Sequence, residues 1–323
     1  MITHAERIAR EIATYAETIN IHDLPDIFHY WSHNYLRPDV EAVFGRADLT
    51  GVFASEFVRS MAQSAVRRIV SIGAGDGSVE IDIAERMLAD GQRSFRIDCI
   101  ELSPHLIGRG QANANAKGLD EIVRFVQSDL TTWKPCDSYG GAFAHHSLHH
   151  IQALEHVFDG LMRTLHEEAS FVISDMIGRN GHMRWPEVEA ILSRIWQTMP
   201  DRYKYNHQLS RHDAQFVNFD CAADGSFEGV RAQDIMPELL KRFHFEKYVA
   251  WGGLTDVFVD RSFGHNFSQG NPEDCAFIDH LARADRALLR LGAHTPTALI
   301  AVIRKLPCQL VSNGLVPEQA VRV

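Results

Sequence analysis

Ile69-Val70-Ser71-Ile72-Gly73-Ala74-Gly75-Asp76-Gly77-Ser78 is the stretch that decides the fold. Three apolar, β-branched residues in four predict a short buried strand. The strand runs into three glycines at alternate positions, and a helix follows from Ser78. Glycine lets the backbone turn tightly and lets a ligand approach with no Cβ in the way. The helix N-terminus beyond the loop favours a negative group. An ordinary tight turn needs fewer glycines than this.

Working outward, short apolar runs alternate with amphipathic ones. Arg68–Ile72, Phe95–Ile100, Ile122–Val126, Gly141–Ala144 and Ala169–Ser174 read as strands. Ser78–Asp90, Pro104–Lys117 and Ile151–His166 read as the helices between them. This alternation predicts βαβ units, an α/β fold with a mostly parallel sheet, and ligands at the carboxyl ends of the strands. Before the first strand, Ile8, Ile12, Tyr15 and Ile19 recur at helical spacing, and Pro38 is expected to end a helical turn. Residues 1–65 therefore read as an N-terminal helical cap. After Asp175, Pro186 opens a helix that presents Val188, Ile191, Leu192, Ile195 and Met199 on one face. Asp234 is placed to cap another helix, Phe243–Trp251 and Thr297–Arg304 read as the last two strands, and a helix over Pro272–Leu291 separates them. The main domain is expected over 66–305, with insertions at about 176–232 and 253–296, and a poorly ordered tail over 306–323.

Two acids stand where adjacent strand ends converge. Ile97-Asp98-Cys99-Ile100-Glu101-Leu102 is a strand ending in Glu101, and a carboxylate there can accept two hydrogen bonds from a ribose diol. Val126-Gln127-Ser128-Asp129-Leu130 puts Asp129 just past the third strand, in reach of an adenine amine.

Together these residues resemble the class I S-adenosylmethionine-dependent methyltransferases. The resemblance rests on the GxGxG loop, the acid after strand two and the Asp after strand three, and it covers about Val66 to Asp175. It implies a Rossmann-like, seven-stranded sheet with a reversed last strand and helices on both faces. It also implies S-adenosyl-L-methionine as methyl donor, giving S-adenosyl-L-homocysteine. Gly73, Ala74, Gly75, Gly77, Glu101, Leu102, Ser128, Asp129 and Leu130 would line its site. A nicotinamide dehydrogenase is the competing reading, but its GxGxxG spacing is not met, since the third glycine comes one residue early at Gly77. A non-catalytic cofactor-binding module is a third.

Phe143-Ala144-His145-His146-Ser147-Leu148-His149-His150-Ile151 follows the fourth strand, beside the transferable methyl group in the resembled fold. His145, His146 and His149 are the candidates for a catalytic base, because imidazole titrates near neutral pH, and His145 is also a candidate for cofactor contact. They can equally cap the next helix. His145 with His149, or His146 with His150, has the i, i+4 spacing of a chelating pair. No acid or cysteine adjoins them in the sequence, so no metal is expected. Tyr30 and Trp31 of the cap are candidates for closing over the cofactor, since an aromatic wall attracts a sulfonium cation. Tyr35, Asp175, Arg179, His182, Arg184, Tyr203, Tyr205, Arg231 and His265 are candidates for the acceptor pocket, with Asp260, Arg261 and Asn266 near them. Arg179 or Arg184 suits a carboxylate.

The 323 residues carry 32 Lys+Arg against 42 Asp+Glu, a formal charge of −10. This disfavours nucleic acid, whose phosphates need a basic surface. No apolar run is long enough to span a bilayer, and Met1–Asn20 lacks a signal-peptide core. Cys99, Cys136, Cys221, Cys275 and Cys308 are scattered, which fits reduced thiols in a cytoplasmic protein. The expected activity is methyl transfer to a small polar metabolite at O, N or S, such as an amino acid, a carboxylic acid or a methionine-like thioether. A homodimer remains open.

Overall fold

The computed structural model describes residues 3–17, 24–135 and 138–322; Ile19 and Cys136 lie outside them. The helical cap consists of α1 (His4–Glu17), α2 (Asp26–Trp31), a π-helical turn (Ser32–Leu36), α3 (Arg37–Phe44) and α4 (Leu49–Ala62). Pro38 does not end a helix. It sits in the first turn of α3, directly after the π turn, where its missing N–H is tolerated. The wider turn accommodates a proline ring that would collide with the preceding carbonyls of a regular helix.

The main sheet contains β1 (Arg68–Ile72), β2 (Arg96–Glu101), β3 (Val123–Gln127), β4 (Tyr139–His145) and β5 (Leu165–Met176). The ribbon β6 (Tyr205–Asn206) and β7 (Arg211–His212) stands apart from it. β8 (His244–Trp251), β9 (Ala298–Arg304) and β10 (Val311–Ser312) complete the main sheet. Its order is β10-β8-β9-β5-β4-β1-β2-β3. β9 runs antiparallel to both neighbours, and the other pairings are parallel. Among the described residues the sheet therefore has eight strands where seven were expected. The extra one comes from the segment that was expected to be a poorly ordered tail: Val311 and Ser312 pair with Lys247 and Tyr248, and Leu315 and Ala320 are buried.

Side chains alternate across the sheet, as a pleat requires. Val70, Ile72, Ala142, Ala144, Phe171 and Ile173 face one core with α7 (Leu154–Thr164) and α9 (Ile235–Leu240). Ile69, Ile97, Cys99, Phe143 and Val172 face the other, with α4 and α5 (Ser78–Ala89). The expected cap of α9 is not formed: Asp234 makes no side-chain cap bond and instead binds Arg231 at 2.7 Å. A third core joins α2, α8 (Pro186–Thr198), α10 (Asp256–Val259) and α11 (Pro272–Arg290), in which Trp196 is fully buried. Among the described residues no helix is long and apolar enough to cross a membrane.

Candidate functional site

The glycine loop takes its shape from left-handed backbone. Gly73, Gly75 and Gly77 have φ of 68°, 60° and 70°, a region costly for residues with a Cβ. They serve different purposes. A Cβ on Gly73 would lie 2.7 Å from Ser147 Cβ, and one on Gly77 would lie 2.3 Å from Phe125 Cζ. These two are demanded by packing. A Cβ on Gly75 would meet nothing within 4 Å, so the loop is open there. The amides of Gly73 and Ala74 donate to the Ile100 carbonyl at 2.9 and 3.1 Å, fixing the loop to the end of β2.

Glu101 locks the same junction. Its Oε2 accepts the Gly75 N–H at 2.9 Å, and its Oε1 accepts Leu102 and Ser103 N–H, each at 2.8 Å. Burial pushes its carboxyl above the ordinary range, against those bonds. Ser103 caps α6 (Pro104–Ala116). Beneath the loop, Ser71 Oγ donates to the buried Glu80 at 2.5 Å, and burial raises the Glu80 carboxyl to about 7. Asp129 lies past β3, flanked by Ser128 and Leu130. It accepts the Thr131 N–H at 2.8 Å and is bonded to His4 Nε2 at 2.8 Å. Burial works to raise the Asp129 pKa, but these bonds outweigh it and lower it.

Asp175, at the end of β5, organises the loop after β4. It is buried and accepts the amides of Ser147, Leu148 and Met176 at 3.0, 2.7 and 2.7 Å. Its Oδ1 also meets His149 Nδ1 at 2.5 Å. Burial disfavours a charged His149, yet the Asp175 carboxylate wins and raises it to about 10. Asp175 is in turn held well below the usual carboxylate range, burial notwithstanding. Ser147 Oγ donates to the Ile72 carbonyl at 2.5 Å, joining this loop to β1. His146 has φ of 48°, a strained value for a non-glycine residue. Its ring packs 4.6 Å from that of His145. Crowding by the surrounding protein lowers the His146 pKa although the residue itself is exposed, so the imidazole is neutral near pH 7.

His182 joins this group. Its Nε2 lies 2.6 Å from Glu228 Oε1, and its ring lies 5.0 Å from that of His149. Burial lowers the His182 pKa, with Glu228 opposing. Glu228 was not anticipated: it lies in a loop with no periodic or motif signal, and only the fold brings it to the histidines. His4 and Glu11 were also missed: they lie on the helix α1, and only the fold brings them to Asp129 and His150. Glu11 Oε1 lies 3.1 Å from His150 Nδ1.

The structure thus gathers Gly73, Gly75, Glu101, His145, His146, His149, Asp175 and His182 along the carboxyl ends of β1, β2, β4 and β5. The remaining candidates from the cap and the acceptor-pocket loops are engaged elsewhere. Trp31 is buried in the third core, and Tyr30 donates to Asp279 of α11 at 3.1 Å. Tyr35 and Trp31 line a recess with Trp251 and Arg286, at the end of β8 and away from the glycine loop. Arg184 binds Asp256 at 2.6 Å, and Arg231 forks onto Glu155 at 2.6 and 2.7 Å. Arg179 donates to the Arg184 carbonyl at 3.1 Å. Tyr203 stacks on Phe267 at 4.5 Å and donates to Asp274. Tyr205 and His265 both pack around His207, at 5.0 and 5.1 Å. These groups hold loops together, and their polar atoms are largely spent on one another.

Residues 69–168 match the family model described as a methyltransferase domain. No curated protein matches the sequence. Among solved structures, a geranyl diphosphate C-methyltransferase from Streptomyces coelicolor A3(2) is 11% identical, covers 94% of this chain and 100% of its own, and has a TM-score of 0.48. A putative sarcosine dimethylglycine methyltransferase from Galdieria sulphuraria is 15% identical, with coverages of 88% and 98% and a TM-score of 0.45. An O-methyltransferase from a trans-AT PKS multienzyme of Brevibacillus brevis is 11% identical, with coverages of 84% and 77% and a TM-score of 0.44. Likenesses this distant carry nothing about what the present chain acts on.

Proposed function

We propose that this class I S-adenosylmethionine-dependent methyltransferase acts on a small polar metabolite at an O, N or S atom, with an amino acid or carboxylic acid as the acceptor class. The observation that carries this reading is the roof over the strand ends. His4 of α1 bonds to Asp129, while Arg7 and Arg10 donate to the carbonyls of Ser226 and Asp224 in the insertion. A strand edge covered in this way suits a small ligand better than a polymer, and a net charge of −10 agrees.

The residues present fit the methyl donor. The loop is open at Gly75, where an added Cβ meets nothing within 4 Å. Beside it, Glu101 keeps lone pairs beyond its three backbone bonds, enough to accept a ribose hydroxyl. S-adenosylmethionine, when bound, supplies an electrophilic methyl group. The protein's own work is then to align the acceptor with it, which is worth several orders of magnitude in rate. Neutral, exposed His146 is the residue suited to take a proton from an acceptor O–H or N–H. His149, held through Nδ1 by Asp175, is suited to position the loop. The test is incubation with S-adenosylmethionine and a defined pool of amino acids and carboxylic acids, reading S-adenosylhomocysteine by mass spectrometry. Turnover with a pool member is expected; turnover only with RNA or protein would overturn the acceptor class.

A further inference from the structure

We propose that His149, His150 and Glu228, with His182 held against Glu228, form a binding site for one divalent transition-metal ion of the zinc type. Three separate segments converge here. His149 and His150 lie on the 3-10 turn Leu148–His150 after β4, and His182 lies on the turn Asn180–His182 after β5. Glu228 lies in the insertion. The Nε2 atoms of all three histidines point at its carboxylate: His149 at 3.5 Å from Oε1, His150 at 3.5 Å from Oε2 and His182 at 2.6 Å from Oε1. The ligating atoms of His149, His150 and Glu228 all lie within 4.8 Å of one another.

These spacings suit a metal. Bonds of about 2.0–2.1 Å in a tetrahedral site put neighbouring donors roughly 3.3 Å apart. The His149 contact with Oε1 is close to that edge, His150 faces the other carboxylate oxygen at 3.5 Å, and the shorter His182 contact with Oε1 has to open by about 0.7 Å before that ring can join as a further donor. Three imidazoles and a carboxylate are also the donor types that such ions prefer.

The outer contacts orient the rings. His149 Nδ1 is held by Asp175 at 2.5 Å, and the Glu11 carboxylate lies 3.1 Å from His150 Nδ1, which makes no hydrogen bond. In His149 the far nitrogen is left aimed at Glu228, as in a carboxylate–histidine–metal arrangement. His182 Nδ1 is buried with no hydrogen-bond partner, so no structural bond consumes that ring through its other nitrogen. Backbone bonds hold the segments in place: Gly181 N–H donates to the Gly229 carbonyl, and Cys221 N–H to the Gly181 carbonyl, each at 2.9 Å. The sequence argued against a metal because no acid adjoins the histidines. The fold supplies the acid from a distant loop.

This site does not depend on the methyl-transfer reading, and its test reads metal, not turnover. Protein stripped by chelator and dialysed is titrated with zinc chloride in a calorimeter and with cobalt(II) under visible absorption. One equivalent is expected to bind with micromolar or tighter affinity, with the intense visible bands of a low-coordinate cobalt site. Glu228→Gln, His150→Ala and His182→Ala should each weaken binding at least about tenfold, with circular dichroism confirming the fold. His280→Ala, at an exposed position on α11, should change nothing. Absence of saturable binding, or equal affinity in all variants, would overturn the proposal.

Discussion

The Gly75 amide and the Glu101 carboxylate meet at 2.9 Å, so the first strand's loop and the second strand's acid form one unit. Glu101→Gln keeps the size of the side chain and removes its charge. Hydrogen bonds to charged groups are worth about 1.5–3 kcal/mol, so affinity for S-adenosylhomocysteine should fall roughly ten- to a hundredfold by calorimetry. Unchanged affinity would remove Glu101 from the nucleoside site.

Gly75→Ala and Gly77→Ala should separate binding from stability. Both impose the left-handed strain of roughly 1–2 kcal/mol. Only Gly77→Ala also drives a methyl group into Phe125, adding about 1–3 kcal/mol. Denaturant unfolding should rank Gly77→Ala as the less stable, while Gly75→Ala loses cofactor affinity out of proportion to its stability. A reversed order would mean that Gly75 is the packing glycine.

Glu80 gives a pH dependence. Burial raises its folded pKa from 4.5 to about 7, so the neutral form is the one the fold accommodates. Its contribution is therefore complete below about 4.5 and is lost as pH rises through about 7, a change of about 3 kcal/mol at most. Glu80→Gln should flatten the stability profile across that window and be the more stable protein at pH 8. Parallel profiles for the two proteins would show that Glu80 is charged in the fold.

Asp175→Asn should be the most damaging of these changes. It removes the charge that partners His149 and leaves the amide cluster at the end of β5 poorly satisfied. Breaking a buried pair costs about 3–5 kcal/mol, which should appear as a large fall in melting temperature. A fall no larger than that of a surface substitution would mean that the pair is not formed.

Much of this was legible locally. The strands from Arg68 to Ser174 announce themselves because each is an apolar run bounded by its own breakers. The loop and Glu101 follow from their position at strand ends. What was not legible lies in contacts between distant segments. Arg184 and Arg231 look like free guanidiniums until Asp256 and Glu155 are brought to them. Tyr30 and Trp31 look like a cofactor wall until α11 and the third core claim them. Glu228 carries no local signal at all. Pro38 misled because a proline inside a helical run usually ends it, and a π turn ahead of α3 absorbs the conflict instead.

The pairing of Val311–Ser312 with β8 has a consequence for handling the protein. An open sheet edge offers unpaired amides and carbonyls to any other strand, and here the C-terminal segment seals part of that edge with its own backbone. A truncation before Leu310, or a fusion that pulls this segment away, strips the seal and turns a self-contained sheet into a template on which molecules can pair edge to edge.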